Sequence, residues 1–316
     1  MTDIWINKNI KPMLIGMEGE PFDSNDYIYE LKLDGERCIA YLDTDKTILK
    51  NKRNMLMLPK VPELNNIHEN INVRCILDGE LAIIKNGKPD FFEIQKRSMM
   101  SNPVKIDMAA KKYPACFTAF DILYYDDKQV TDLPLTERKE LLQKAIKSEN
   151  SKFAVSRYIE KSGIAFYELA KNQKLEGIVA KRKNSRYYLD RRTKDWIKIK
   201  YLQDDDFIVL GYVPKENSMN SIILGQYNNS NLVYKGHVTL GVGGVPFKKI
   251  QSLEKTICPF SEIPKGNENA VWLKPEFVCT VKYMTKTESG GMRQPVFKGL
   301  REDKSPEECV EKCLKQ

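Results

Sequence analysis

Through about residue 200 the apolar positions switch between a period of two and a period of three to four, so the chain reads as interleaved strands and helices. Alternation predicts strands over Tyr27–Leu33 and Arg37–Leu42, with Asp43-Thr44-Asp45-Lys46 turning into another at Thr47–Lys50. Cys75–Ile84 reads as a strand closed by an Asn86-Gly87 turn. A helix over Phe91–Met99 is expected after Pro89-Asp90. Thr136 is expected to cap a second helix running to about Lys147, with Leu141, Leu142 and Ala145 in its apolar stripe. Gly163–Lys171 reads as a third helix, followed by strands at Gly177–Arg182 and Trp196–Tyr201.

After Asp204-Asp205-Asp206 the texture changes. Phe207–Val213, Ser221–Tyr227, Leu232–Val238 and Phe277–Met284 are short strands between Asn-, Gly- and Pro-rich turns, including Asn228-Asn229-Ser230-Asn231 and glycines 241, 243 and 244. This part is expected to form a small β-barrel, closed by a helix starting at Ser305-Pro306-Glu307-Glu308. The boundary falls near Gln203, which predicts an α+β domain over 1–202 and a β domain over 203–316.

Strand alternation also sorts the charged side chains, because residues i and i+2 share a face. Glu30, Lys32 and Asp34 point one way while Tyr29, Leu31 and Leu33 point the other. Asp78 and Glu80 share a face opposite Leu77 and Leu81, and Trp196, Lys198 and Lys200 lie opposite two isoleucines. Glu176 stands at the entry of a buried strand and Lys181 near its exit. Several strands thus carry an apolar face for a core and a charged face for a common cleft.

Composition narrows what that cleft handles. Across 316 residues, 51 basic and 43 acidic side chains give a net charge of +8, which favours an anionic partner gripped locally over a disordered basic tail. Seven cysteines (38, 75, 116, 258, 279, 309 and 313) form no Cys-x-x-Cys pair, and two histidines are too few for a zinc site. Cys309 and Cys313 lie four apart on the expected last helix and read as packing residues. The amino terminus carries no signal-peptide pattern and no run reaches membrane-spanning length, so a soluble, cytoplasmic protein without a membrane partner is expected.

The sharpest chemistry is Lys32-Leu33-Asp34-Gly35-Glu36-Arg37, an amine, a carboxylate and a guanidinium around one glycine. An amine so placed is a candidate covalent nucleophile toward phosphorus. It needs cations and desolvation around it, since a free lysine has a pKa of about 10.4.

Further segments follow in a telling order: Lys52-Arg53-Asn54, Leu77–Leu81, Phe120-Asp121-Ile122-Leu123-Tyr124, Glu176–Lys181, Trp196–Lys200 and Leu300-Arg301-Glu302-Asp303-Lys304. With the Lys32–Arg37 motif, these make the chain resemble the ATP-dependent DNA ligases, within the superfamily of covalent lysyl-nucleotidyl transferases. The resemblance runs from Lys11-Pro12-Met13-Leu14 onward. It is narrower toward bacterial two-domain ligases and the ligase domain of bacterial end-joining enzymes, through Ala119–Asp126, Gly177–Arg182, Val271–Glu276 and Gly299–Glu307. The polymerase and phosphoesterase modules that sometimes accompany such ligases have no room in this chain.

The resemblance implies an adenylation (nucleotidyltransferase) domain with antiparallel sheets and flanking helices, then an OB-fold. It implies three steps: lysine attacks the α-phosphorus of ATP, AMP passes to a 5′-phosphate at a nick, and the 3′-hydroxyl seals the strand. Lys32 matches the nucleophile, and Lys181, Lys198 and Lys200 the surrounding cations, with Lys198 and Lys200 on the α-phosphate. Arg37 matches a nucleotide or nick-phosphate contact and Arg53 the grip on the 5′-phosphate. Glu80 matches a ribose or metal contact and Phe120 an adenine stack. Glu176 and Asp34, with Glu80, match the holders of Mg²⁺, for which Mn²⁺ would substitute. Arg301 and Lys304 match catalytic residues that orient pyrophosphate. The implied partners are ATP and nicked double-stranded DNA, with end-joining or repair proteins besides, acting on a monomer.

Two positions depart from the pattern. Asp190 stands where a glycine is expected, and Lys52 replaces the serine usual before Arg53. An RNA ligase or a capping-type guanylyltransferase shares most of the motifs, and a non-catalytic nucleic-acid-binding module is the rival of another class. An NAD-dependent ligase is disfavoured, because too few residues precede Lys32 for a nicotinamide-binding domain and a zinc-binding cysteine set is missing.

Overall fold

A computed structural model of the chain describes residues 3–215, 219–241, 244–286 and 291–311. The chain divides into two compact units, Met1–Tyr201 and Leu202–Gln316.

The first unit is built from two sheets with helices outside them. One sheet has five strands: β1 (Leu14–Glu18), β2 (Ser24–Leu31), and, from later in the chain, β8 (Tyr158–Lys161), β9 (Gly177–Arg182) and β10 (Arg192–Lys200). Its order is β1-β10-β9-β2-β8, antiparallel except where β1 runs parallel to β10. The other sheet has seven strands along a path through β4 (Thr47–Asn51), β3 (Glu36–Leu42), β5 (Cys75–Lys85) and β6 (Ala115–Tyr125), with β7 (Phe153–Val155) parallel to β6.

The alternation read in the sequence decides what each face touches. Tyr27, Tyr29, Ile178, Ala180, Ile197 and Ile199 point outward under the helix α4 (Gly163–Asn172). Cys38, Ala40, Leu42, Leu77 and Leu81 point outward on the seven-stranded sheet, against Ile94 of α1 (Phe91–Met99) and Leu142 and Ala145 of α3 (Leu135–Ala145). Between the sheets lies a third cluster, Ile39, Tyr41, Ile76, Leu123, Val179, Tyr187 and Trp196. The charged positions of the same strands continue this inner layer, which is how a two-sheet core becomes a cleft.

Some elements differ from their expected form. The helix α3 starts at Leu135 with Pro134 at the N-cap, so Thr136 sits inside the first turn and does not cap. A helix absent from the sequence reading, α2 (Pro103–Lys112), is opened by the Asn102 side chain, which accepts from the Lys105 amide. The strand carrying Lys32 ends at Leu31, leaving Lys32–Gly35 as a loop between β2 and β3.

The second unit is a mainly antiparallel sheet of six strands. Its path joins β13 (Asn231–Gly241), β12 (Met219–Asn228), β11 (Gln203–Lys215), β14 (Val278–Tyr283) and β15 (Val296–Arg301), with α5 (Val245–Gln251) covering one end. Phe207, Val209, Leu224, Val281 and Tyr283 fill its core with Phe247 and Ile250 of α5. The expected closing helix is, among the described residues, one 3₁₀ turn at Pro306–Glu308 with a Ser305–Glu308 capping box. Gly243, Cys313 and the rest of that expected helix beyond residue 311 lie outside the described residues.

Candidate active site

Lys32 follows β2 directly, and its amide donates to the Gly177 carbonyl (2.9 Å), which pins the motif loop to the start of β9. Gly177 has φ +136, a conformation suited to glycine, and a Cβ there would meet the Ile199 carbonyl at 2.1 Å. Gly35 is fixed by close approach instead, since a Cβ would lie 2.2 Å from the Leu81 carbonyl. Both glycines let backbone pass close around the amine.

The Lys32 ammonium pairs with Glu176 at 3.0 Å, with side-chain exposures of 23% and 5%. Burial pushes the Glu176 carboxyl above its ordinary range, with Lys32 opposing and Asp34 reinforcing. Burial pushes Glu80 up to about 8, with Lys32 and Arg37 opposing and Glu176 and Asp78 reinforcing. Lys32, Asp34, Glu80 and Glu176 therefore form one electrostatic group. Lys198 pairs with Glu18 at 3.1 Å, and Lys200 is pushed down by burial and by Lys198, with Lys32 adding to the effect. The five-stranded sheet thus brings Lys32, Lys198 and Lys200 together.

Arg37 is held differently from its sequence reading. Its guanidinium forks onto both oxygens of the fully buried Asp78 and reaches the Met13 carbonyl at 3.3 Å. Tyr187 donates to the same carboxylate at 2.5 Å. Phe120 packs with the inner cluster, with Lys181 and Arg37 lying 4.4 and 4.6 Å from its ring centroid. Lys181 belongs to a second, deeper group: it lies 3.1 Å from Glu30 and 4.2 Å from the centroid of Trp196, and burial pushes it down to about 8. Arg53 is exposed on the turn after β4, its amide donating to Asn51 Oδ1 at 3.0 Å.

In the second unit, Arg301 ends β15. It forks onto Asp303 through Nε and Nη2 at 2.7 Å each and reaches Asp206 at 3.4 Å. Lys304 joins Asp206 at 2.9 Å, and Thr280 donates to its other oxygen at 2.7 Å. Glu302 turns away to Lys249 (2.5 Å). Arg301, Lys304 and Asp206 line a cavity of about 370 Å³ with Gln226 and Cys309.

Among the described residues no group of three His, Cys, Asp or Glu is spaced to hold a metal ion unaided. The Glu80–Glu176 pair still fits Mg²⁺, which commonly takes one or two carboxylates and completes its shell from phosphate and water. Glu176 raises Glu80 and Asp34 raises Glu176, a crowding of negative charge of the kind a cation relieves.

Sequence reasoning missed the buried partners: Asp78 for Arg37, Tyr187, and the α3 cations Arg138 and Lys139. Arg138 forks onto Asp121 at 2.8 Å with both side chains fully buried, and Lys139 pairs with Glu30 at 2.5 Å. Their signal was available, because 138 and 139 fall on the stripe of Leu135 and Leu142, where only buried side chains belong.

Two inward-facing sheets, a lysine held by a buried carboxylate and a basic strand beside it, followed by a β-barrel-like unit, define the nucleotidyltransferase class. A family model described as "ATP dependent DNA ligase domain" matches residues 12–200, and a second, "ATP dependent DNA ligase C terminal region", matches 215–304. The chain belongs to the ATP-dependent DNA ligases, and it is an enzyme of that family. It is similar to the SPbeta prophage-derived DNA ligase-like protein LigB of Bacillus subtilis, 28% identical over 294 residues, covering 92% of this chain and 99% of that one. It is similar also to the multifunctional non-homologous end joining protein LigD of Pseudomonas aeruginosa, 27% identical over 314 residues. That match covers 95% of this chain and only 36% of the relative. Among solved structures, mycobacterial DNA ligase D complexed with ATP and MES has the same fold, with a TM-score of 0.56 at 24% identity, covering 96% of this chain and 99% of that one. Among the described residues no helix is long and apolar enough to cross a membrane.

Proposed function

We propose that the chain seals nicks in double-stranded DNA, joining a 5′-phosphate to a 3′-hydroxyl through AMP carried on Lys32. The observation that carries this is the group of Lys32, Glu176, Glu80, Lys198 and Lys200 around one glycine-lined loop, in a chain of the ATP-dependent DNA ligase family. ATP is the nucleotide substrate. The first unit acts as the adenylation domain and the second as an OB-fold that grips the duplex.

In this reading Lys32 Nζ, after losing a proton, attacks the α-phosphorus and pyrophosphate leaves. Lys198 and Lys200 supply positive potential beside the amine and meet phosphate charge. Glu176 orients the amine. Glu80, Glu176 and Asp34 would hold Mg²⁺, which spreads charge on the phosphoryl oxygens when bound. Phe120 and Lys181 form the nucleotide-side wall. Arg37, anchored to Asp78, presents its remaining edge toward phosphate, and exposed Arg53 meets the nick 5′-phosphate. Arg301 and Lys304 bear on the departing pyrophosphate, exchanging Asp206 for phosphate oxygens.

Labelled ATP followed by nicked DNA, nicked RNA, cohesive ends and blunt ends tests the reading. Label on the protein that passes to the nick 5′-phosphate and leaves as free AMP while the nick is sealed is expected. Label from GTP alone, or sealing confined to RNA, would overturn it. Affinity for nicked duplex should fall steeply with salt, because phosphate contacts carry it.

A further inference from the structure

The helix α3 sends two neighbouring buried cations in different directions. Arg138 goes to Asp121 of β6 in the seven-stranded sheet, and Lys139 goes to Glu30 of β2 in the five-stranded sheet. Adjacent helical residues point about 100° apart, which is what allows one helix to reach both sheets. Glu30 in turn divides its two oxygens: Oε1 faces Lys139 at 2.5 Å and Oε2 faces Lys181 at 3.1 Å. All three side chains are at most 4% exposed. Lys181 also lies against the rings of Phe120 and Trp196, with centroids at 4.4 and 4.2 Å.

We propose that Lys139 is a positioning residue of the adenylation step, occupying one oxygen of Glu30 so that the other holds Lys181 against Phe120 and Trp196 on the nucleotide-side wall. The inference rests on the reading that Lys181 and Phe120 serve the nucleotide site. Without Lys139, Glu30 keeps only Lys181 and the Ser156 hydroxyl, and the ammonium is drawn off the rings into a closer pair with the carboxylate.

The charge count separates this role from a merely structural one. The cluster buries two ammonium groups against one carboxylate, while the neighbouring Asp121 is matched by Arg138. Removing Lys139 leaves one ammonium against one carboxylate, so it does not create the unpaired buried charge that makes broken ion pairs so costly. The groups facing Lys181 are Glu30 from β2, Lys139 from α3, Asp121 and Phe120 from β6 and Trp196 from β10. Of these, Lys139 pushes Lys181 down and the two carboxylates push it up.

The test compares the full chain with Lys139→Met and Lys139→Arg. Time-resolved transfer of labelled ATP onto the protein gives KM and the maximal rate of adenylation. Lysine-selective NMR follows the titration of Lys181, assigned by Lys181→Arg. Lys139→Met is expected to keep its melting temperature, raise KM for ATP about tenfold with a much smaller change in maximal rate, and shift the Lys181 titration upward. Lys139→Arg is expected to restore KM. Unchanged KM and an unmoved Lys181 titration in Lys139→Met would overturn the proposal. So would a collapse of rate together with melting temperature that Lys139→Arg does not rescue. If the unaltered chain takes no label from ATP, the ligase reading itself fails, and the NMR arm still decides whether Lys139 positions Lys181.

Discussion

The ammonium of Lys32 lies 3.0 Å from each carboxylate oxygen of Glu176. This symmetric pair holds the amine in place. Lys32→Ala is expected to abolish covalent labelling by ATP and to preserve the fold. It leaves Glu176 buried without its cation, a cost of about 1–3 kcal/mol when the carboxyl is ionised. Glu176 already sits above its ordinary range, and losing Lys32 raises it further. The melting deficit should therefore be present at pH 8 and vanish toward pH 4, where the carboxyl is protonated in both states. An AMP adduct on Lys32→Ala would show that another residue is the nucleophile.

Glu80 gives a pH signature of its own. Its folded value of about 8 lies above its ordinary 4.5, so the fold prefers the protonated form. The corresponding stability is fully present below pH 4.5 and is lost as pH rises toward 8. Glu80→Gln, which stays neutral, should gain on the unaltered chain across that window, by on the order of 1 kcal/mol at its upper end. Melting curves without nucleotide, taken from pH 4 to 9, would contradict this if the two proteins ran parallel.

Arg37 and Arg53 share a predicted contact with DNA phosphate but not a structural role. Arg37→Ala strands the fully buried Asp78, and a loss of about 3 kcal/mol is expected in chemical denaturation. Arg53→Ala removes an exposed side chain and should stay within about 0.5 kcal/mol while weakening nicked-DNA binding. Equal stability losses for the two would refute this division.

Asp190 occupies the left-handed region at φ +56, the conformation a glycine takes without strain. It also pairs with Lys11 at 3.2 Å, but with both side chains about two-thirds exposed that pair contributes little. Asp190→Gly is expected to be neutral to stabilising within about 1 kcal/mol, and Asp190→Val destabilising by about 1–2 kcal/mol. Thermal denaturation of the two variants checks the order, and a more stable valine variant would refute it.

The cleft was legible because strand alternation is a local property. Lys198 and Lys200 opposite Ile197 and Ile199, and Asp78 and Glu80 opposite Leu77 and Leu81, followed from the pleat alone. Asp190 was legible as an anomaly, and the structure supplies its backbone reason. What alternation could not provide was partner identity across the sequence. Asp78 receives Arg37, 41 residues away, and Tyr187, 109 residues away. Lys139 falls on the buried stripe of its helix, but nothing local to that stripe names Glu30, 109 residues away on another sheet, as its partner. Boundaries failed for local reasons as well: Thr136 looks like a cap, but Pro134 takes that position.

The hydrogen bond from the Lys32 amide to the Gly177 carbonyl, beside the paired Leu31 and Ile178, ties the main chain of Lys32 into the sheet. If Lys32 carries AMP, that group rides at the end of a four-methylene tether whose post is hydrogen-bonded into the sheet. Any travel between the place of loading and the place of delivery has to be swept by that tether, or made up by the DNA coming to it. Lengthening or shortening the tether by one carbon, with the post unchanged, would separate the two stages by reach alone.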